Sequence, residues 1–199
     1  IIQEPKLNVA HSPQELSHRI NEVEHSPRKL IVQGEFQRYE YYQPHKKKIK
    51  QWLNFNKPSP QAGDNDLVIH IRIGDFKNHG WLLPFSFYEK CIDHAKPSKI
   101  YLVTDSPKDS YFSQFDKYNH EIISESPWDD FAFISSSDQI CVANSTFSWW
   151  AGFLSNASKI YAPLFYPRYP YGPSTLVDHY VWDEKRYHYV SFDEPYPFC

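Results

Sequence analysis

The 199-residue sequence predicts an α/β protein, with a Rossmann-like, mostly parallel sheet and helices on both faces. Three observations carry that expectation. Short β-branched runs recur through the middle of the chain, and each is followed by a stretch with helical spacing. The runs are apolar throughout rather than alternating, as strands covered on both faces must be. The first element is a helix opened by Ser12-Pro13-Gln14-Glu15, with Ser12 as N-cap, Pro13 at the first helical position and Glu15 reaching back. Leu16, Ile20 and Val23 share its inner face and Pro27 ends it. Lys29 to Gln33 reads as a short buried strand. Gln43 to Phe55 resumes helical spacing, with Ile49, Trp52 and Leu53 on one side and His45, Lys46, Lys47, Lys48 and Lys50 around them. The lysine run reads as a solvated helix face, with phosphate binding as the sharper alternative.

Residues 57–64 are Pro/Gly/polar punctuation and mark the best internal boundary. Beyond it the strands are expected at Leu67 to Ile71, Lys99 to Thr104, Glu121 to Ser124, Ile140 to Ala143 and Lys159 to Ala162. Helices are expected at Phe85 to Ala95, Pro107 to Phe115, Pro127 to Ser136 and Thr146 to Leu154. The last 38 residues, from Ala162, hold 11 aromatics and 6 prolines, so they are expected to wrap over the sheet as an extended cover. The tyrosines there either pack or stack on sugar rings. The expected organisation is a helical and strand segment over 1–62, a Rossmann-like domain over 63–165 and the cover over 166–199.

Composition narrows the function classes. With 21 Lys+Arg against 24 Asp+Glu the net charge is -3, which argues against a nucleic-acid binder, because neutralising phosphates takes a basic surplus. Apolar runs such as Ile100 to Val103 fall far short of the ~20 residues a membrane span needs. Ile1 to Asn8 lacks the basic start and apolar stretch of a signal peptide. Cys91, Cys141 and Cys199 are odd in number and far apart, so free thiols in a reducing, cytoplasmic setting are expected. The chain starts at Ile1 and has no Met, so its first residues are treated as the interior of a longer protein.

Unusual polar residues gather at three strand ends, where ligands of such sheets bind. In His70-Ile71-Arg72-Ile73-Gly74-Asp75-Phe76, alternation puts His70, Arg72 and Gly74 on one side of the strand. A guanidinium there, with a glycine that lets a ligand approach, suits a diphosphate; the competing reading is an Arg72–Asp75 pair with a purely structural role. In Ala143-Asn144-Ser145-Thr146-Phe147-Ser148 a strand meets a helix start, so free N–H groups and hydroxyls point to one spot. Ser145 acting only as a helix cap is the plainer alternative. Tyr101 to Ser106 ends in Thr104 and Asp105; Asp105 either holds a sugar hydroxyl or caps the next helix. Asp129 and Asp130 open a helix, where carboxylates suit the dipole, and His79 lies in the loop past Asp75. No P-loop, dinucleotide fingerprint, metal-ligand spacing or Gly-x-Ser-x-Gly elbow appears.

Together these stretches resemble the α-1,2-fucosyltransferase family, its bacterial members above all, and more loosely the wider fucosyltransferase superfamily. The residues that carry the likeness are His70 to Phe76, Tyr101 to Asp105 and Asp130 to Leu154, in that order, and Gly34 to Tyr42 is similar to the family's Gly-Tyr-Phe-Gln segment. The resemblance implies that the chain is the donor-binding half of a two-lobed GT-B enzyme. It also implies GDP-β-L-fucose as donor, a glycan hydroxyl as acceptor, inversion to an α-1,2 product, and no metal or other cofactor. By matching position it gives Arg72 the diphosphate, His70 a place near the nucleotide, Ser145 and Thr146 the phosphates, and Asp130 the N–H edge of guanine. Gly74, Thr104, Asp105, Asn144 and Ser148 complete the expected donor site. Where the family has a second arginine this chain has Ile73, and its N-terminal lobe is shorter. Asp75 is the first candidate base and His79 the second. Two rival readings are transfer of another GDP-deoxysugar and a non-catalytic carbohydrate-binding module, the latter suggested by the abundance of Trp, Tyr and Phe.

Overall fold

The computed structural model describes residues 2–3, 32–33, 39–53, 61–164, 180–181 and 183–192. It divides into two compact units, Ile1–Gln51 with Arg168–Val181, and Trp52–Pro167 with Trp182–Cys199. In the first unit, β1 (Ile2–Gln3) pairs in parallel with β2 (Val32–Gln33). Two 3-10 turns, Tyr39–Tyr41 and Gln43–His45, lead into helix α1 (Lys46–Trp52), shorter than the Gln43 to Phe55 span expected. The expected helix from Ser12 and residues 57–60 of the expected boundary lie outside the described residues.

The second unit is built on a six-stranded sheet of β3 (Leu67–Ile71), β4 (Ile100–Thr104), β5 (His120–Ile123), β6 (Gln139–Cys141), β7 (Lys159–Pro163) and β8 (Tyr187–Val190). The spatial order is β5-β4-β3-β6-β7-β8 and every neighbouring pair is parallel. Counted from β3, this is the doubly wound order 3-2-1-4-5-6, whose direction of winding reverses between β3 and β6. Helices α2 (Gly74–His79), α3 (Phe85–Ala95), α4 (Pro127–Ser136) and α5 (Thr146–Leu154), with a 3-10 helix at Ser110–Phe115, make the crossovers.

Side-chain alternation sorts the core into two layers. Leu67, Ile69 and Ile71 pack on one face with Phe87, Cys91 and Ile92 of α3 and with Phe112 and Phe115. Val68, Val103, Ile140 and Ile160 pack on the other with Phe133 and Ile134 of α4 and Ala151 of α5. All five residues of β3 are buried, which explains the uninterrupted apolar run.

Two elements differ from the sequence expectation. Strand β3 ends at Ile71, so Gly74 is not on the strand but begins α2. Within the stretch expected to cover the sheet, Tyr187–Val190 is its sixth strand: Val190 joins the first core layer, and Tyr187 and Tyr189 pack against the second. Residues 165–179 lie outside the described residues.

Arg186, just before β8, fastens this strand to the end of α5. Its Nη2 donates to the carbonyls of Gly152 and Phe153 at 3.2 and 3.0 Å, and its Nη1 to Ser155 O, Ser155 Oγ and Ala157 O. Glu184 holds Nε at 2.6 Å, so the guanidinium is fully matched although only 16% exposed. A cation there also complements the negative end of the α5 dipole. Replacing Arg186 with Met should lower unfolding free energy by about 2–4 kcal/mol in urea titration, because buried carbonyls and Glu184 lose their partner.

Candidate functional site

In doubly wound sheets the ligand crevice lies where the winding reverses, which here is between the carboxyl ends of β3 and β6, with the Arg72 turn on one side and the Asn144-Ser145-Thr146 turn on the other. Ile69 sits opposite Cys141 in the ladder, and three residues further along the chain, past the strand ends, come Arg72 and Asn144. Parallel neighbours run about 4.8 Å apart, so the Arg72 turn and the Asn144-Ser145-Thr146 turn start within a side chain's length of each other.

Arg72 is half-buried and engaged on two sides. Its Nε and Nη2 face Asp75 Oδ1 at 3.1 and 2.9 Å, while Nη1 reaches Asp105 Oδ2 at 2.8 Å. The other oxygen of Asp105 accepts the backbone N–H groups of Ile73 (3.0 Å) and Gly74 (3.3 Å). Asp105 therefore caps α2, the helix that follows the neighbouring strand, not the helix after its own. It also explains Gly74: a Cβ there would lie 2.5 Å from Asp105 Oδ2. The close approach that this glycine permits is that of a protein carboxylate, where the sequence suggested a ligand. Lys77 adds a second tie, to Asp109 at 2.7 Å, and pulls that carboxyl below its usual range.

On the other side, Ser145 caps α5 with its Oγ accepting Phe147 N–H at 3.3 Å, and Trp149 N–H closes the first helical turn on Ser145 O. Thr146 is exposed at the first helical position. Asn144 Nδ2 donates to Trp81 O at 2.7 Å, which links this turn to the loop after α2. That loop begins at Gly80, whose φ of 67° supplies the left-handed residue that ends α2. Ser148, expected in the donor site, is fully buried; its Oγ accepts from Ala143 N at 3.1 Å and faces the carbonyls of Ala143 and Ser145. It braces the turn from within and has no surface to offer a ligand. Thr104 is likewise buried and its Oγ1 accepts from Ser106 N at 3.2 Å.

His70 lies beneath the crevice, 4% exposed, with its ring 5.3 Å from that of Phe147. Its Nδ1 is buried without a hydrogen-bond partner. Burial takes the imidazole pKa down to about 4; nearby Asp105 opposes the shift and Arg72 adds to it. The ring is thus neutral at physiological pH. Asp130, in the first turn of α4, is buried, accepts Glu125 N–H at 3.1 Å and has its carboxyl pushed up, chiefly by burial. His79 stacks on Trp81 with ring centroids 4.7 Å apart at the far end of α2, five residues from its start. Among the described residues no group of three or more His, Cys, Asp or Glu is placed to hold a metal ion. No helix among them is long and apolar enough to cross a membrane.

An all-parallel, doubly wound sheet with an arginine and a helix start flanking its switch point defines the larger unit as a Rossmann-like α/β domain. Residues 103–167 match the model of glycosyl transferase family 11, which bears out the resemblance to the α-1,2-fucosyltransferase family. The chain is also 30% identical to an alpha-1,2-colitosyltransferase of Escherichia coli over 150 residues, 62% of this chain and 50% of that protein. It thus spans about half the length of the relative it matches. No solved structure gives a significant match.

The low pKa of His70 sets a direction for acid stability. An unfolded histidine binds its proton near pH 6.5, whereas the folded one waits until about 4, so the unfolded state holds more protons between those values. Stability should therefore be complete above pH 6.5 and fall by about 3 kcal/mol as pH drops to 4. The urea midpoint followed against pH should show this loss, and His70→Gln should flatten it.

Proposed function

We propose that this chain carries the donor-binding half of a glycosyltransferase that moves L-fucose from GDP-fucose to a glycan hydroxyl. Transfer proceeds with inversion to an α-1,2 linkage, in the cytoplasm and without a metal ion. One observation carries the reading: Arg72 at the end of β3 and the start of α5 flank the same switch point. Breaking the bond between C1 of the sugar and the phosphate oxygen leaves charge on GDP as the ring gains oxocarbenium character. A guanidinium and unpaired helix N–H groups aimed at that charge stabilise it by several kcal/mol in a dry cleft, which makes a metal redundant.

The remaining residues fill supporting roles in this reading. The orphaned Nδ1 of neutral His70 is a hydrogen-bonding position without a protein partner, suited to a ligand group. Asp130 offers a carboxylate to the paired N1 and N2 hydrogens of guanine, a pattern that adenine lacks. Asp75, on the open side of Arg72, takes the acceptor proton late in the reaction, with His79 as the second choice. The match to glycosyl transferase family 11 supports the transferase class. The likeness to a colitosyltransferase favours a second reading, in which the sugar is another deoxysugar and the GDP site is the same.

Titration of GDP into the chain by calorimetry tests the site, and mass spectrometry of a GDP-fucose transfer reaction with chelator present tests the chemistry. GDP is expected to bind with ADP much weaker, and Asp130→Asn should narrow that difference. Arg72→Ala should keep the fold and cut turnover ~100-fold or more. Near-normal transfer by Arg72→Ala would remove the diphosphate assignment, and glycan binding with no response to GDP would favour the carbohydrate-binding module.

A further inference from the structure

Arg72 is held by two carboxylates that are not equivalent, and the difference assigns them opposite roles. This inference rests on the reading of the crevice as a diphosphate site. We propose that Asp105 is the positioning residue of Arg72, and that Asp75 is the partner a diphosphate displaces.

Asp105 is built into the scaffold. Its side chain is 27% exposed, and the carboxylate is used on both oxygens: Oδ1 by the N–H groups of Ile73 and Gly74, Oδ2 by Arg72 Nη1. Gly74 exists in a form that admits it and nothing larger, since a Cβ would meet Oδ2 at 2.5 Å. Moving Asp105 would strip the start of α2 of its cap and cut the tie between the turns that follow β4 and β3.

Asp75 has none of these attachments. It is 53% exposed, and a single oxygen meets both Nε and Nη2 of Arg72. Those two nitrogens form the edge of the guanidinium that binds carboxylate or phosphate with two parallel hydrogen bonds. An exposed pair of this kind contributes little, so a doubly charged diphosphate outcompetes it. When Asp75 leaves, the two-donor edge turns to the ligand while Asp105 keeps Nη1 in place. The displaced carboxylate is then free beside the site it has vacated.

Calorimetric titration of GDP against single variants reads the two roles by sign. Asp75→Asn and Asp105→Asn each remove one negative charge near the diphosphate, so simple electrostatics would tighten binding in both. The proposal expects Asp75→Asn to bind GDP ~3-fold or more tightly, and Asp105→Asn to bind ~10-fold more weakly. The asparagine oxygen still accepts the Ile73 and Gly74 N–H groups, but its NH2 faces Arg72 as donor against donor. Asp105→Ser, which can cap but cannot reach Arg72, should lose affinity in the same way, and it serves if Asp105→Asn folds poorly by its urea midpoint. Adding Arg72→Ala to Asp105→Asn should cost no more than Arg72→Ala alone, because both act through one guanidinium.

Additive losses in that cycle would make Asp105 an independent ligand contact and overturn the positioning role. Wild-type affinity in Asp105→Asn would overturn it too, and weaker binding by Asp75→Asn would overturn the displacement. A folded wild type that ignores GDP would bring down the diphosphate reading and this inference with it, whereas a wild type that binds GDP while Asp105→Asn is unchanged would leave the site reading standing.

Discussion

The pairing of β3 with β6 is the constraint from which the rest of the larger unit follows. Two parallel strands cannot be joined by a tight turn, so each needs a crossover, and right-handed crossovers carry the helices to opposite faces on either side of this pair. The ladder from Leu67–Gln139 to Ile69–Cys141 thus fixes two things at once: a sheet buried on both faces, and a gap between diverging loops at the carboxyl ends. Arg72, Asp75 and the Asn144-Ser145-Thr146 turn lie only a few positions beyond that ladder. The apolar pattern and the functional pattern are consecutive parts of the same short segments.

Charge among the ion-paired side chains at the gap leans negative. Arg72 sits between Asp75 and Asp105, giving the three side chains one more negative than positive charge. Beneath them His70 is kept neutral by burial, so it adds no competing cation. The start of α5 supplies a positive potential that no carboxylate in this group offsets, because its Ser145 cap is a hydroxyl. An acidic cap there would have repelled the diphosphate that the proposed function brings to this turn.

Most of the larger unit was legible in the sequence because its strands are short apolar runs and its helices have conventional starts. Leu67 to Ile71, Phe85 to Ala95, Pro127 to Ser136 and Thr146 to Leu154 appear with the boundaries expected of them. Two elements were hidden for physical reasons. Helix α2 is six residues long with a glycine first and no side-chain cap from its own segment; its cap comes from Asp105, 31 residues on, which no local pattern can announce. Strand β8 alternates Tyr187, His188, Tyr189 and Val190 inside an aromatic and proline-rich stretch, so its edge position masked the apolar signature of its neighbours. At the site, residue type and strand-end placement singled out Arg72, Asp105 and Ser145, but the division of labour between ligand and scaffold depended on contacts across strands. Ser148 and Gly74 looked like ligand contacts because small residues in a turn look alike; burial sets Ser148 apart, and the Asp105 carboxylate fills the space beside the exposed Gly74.

The clasp of Arg186 on the far end of α5 has a consequence for the order in which the chain is made. The carbonyls of Gly152, Phe153 and Ala157 and both oxygens of Ser155 wait for a guanidinium that leaves the ribosome about thirty residues later. Until it emerges, the helix whose other end borders the crevice has an unfinished tail, and the sheet lacks its sixth strand. A nascent chain stalled before Arg186 would hold every residue of the proposed site and still lack the brace that steadies it, so maturation of the crevice is timed by a segment that takes no part in its chemistry.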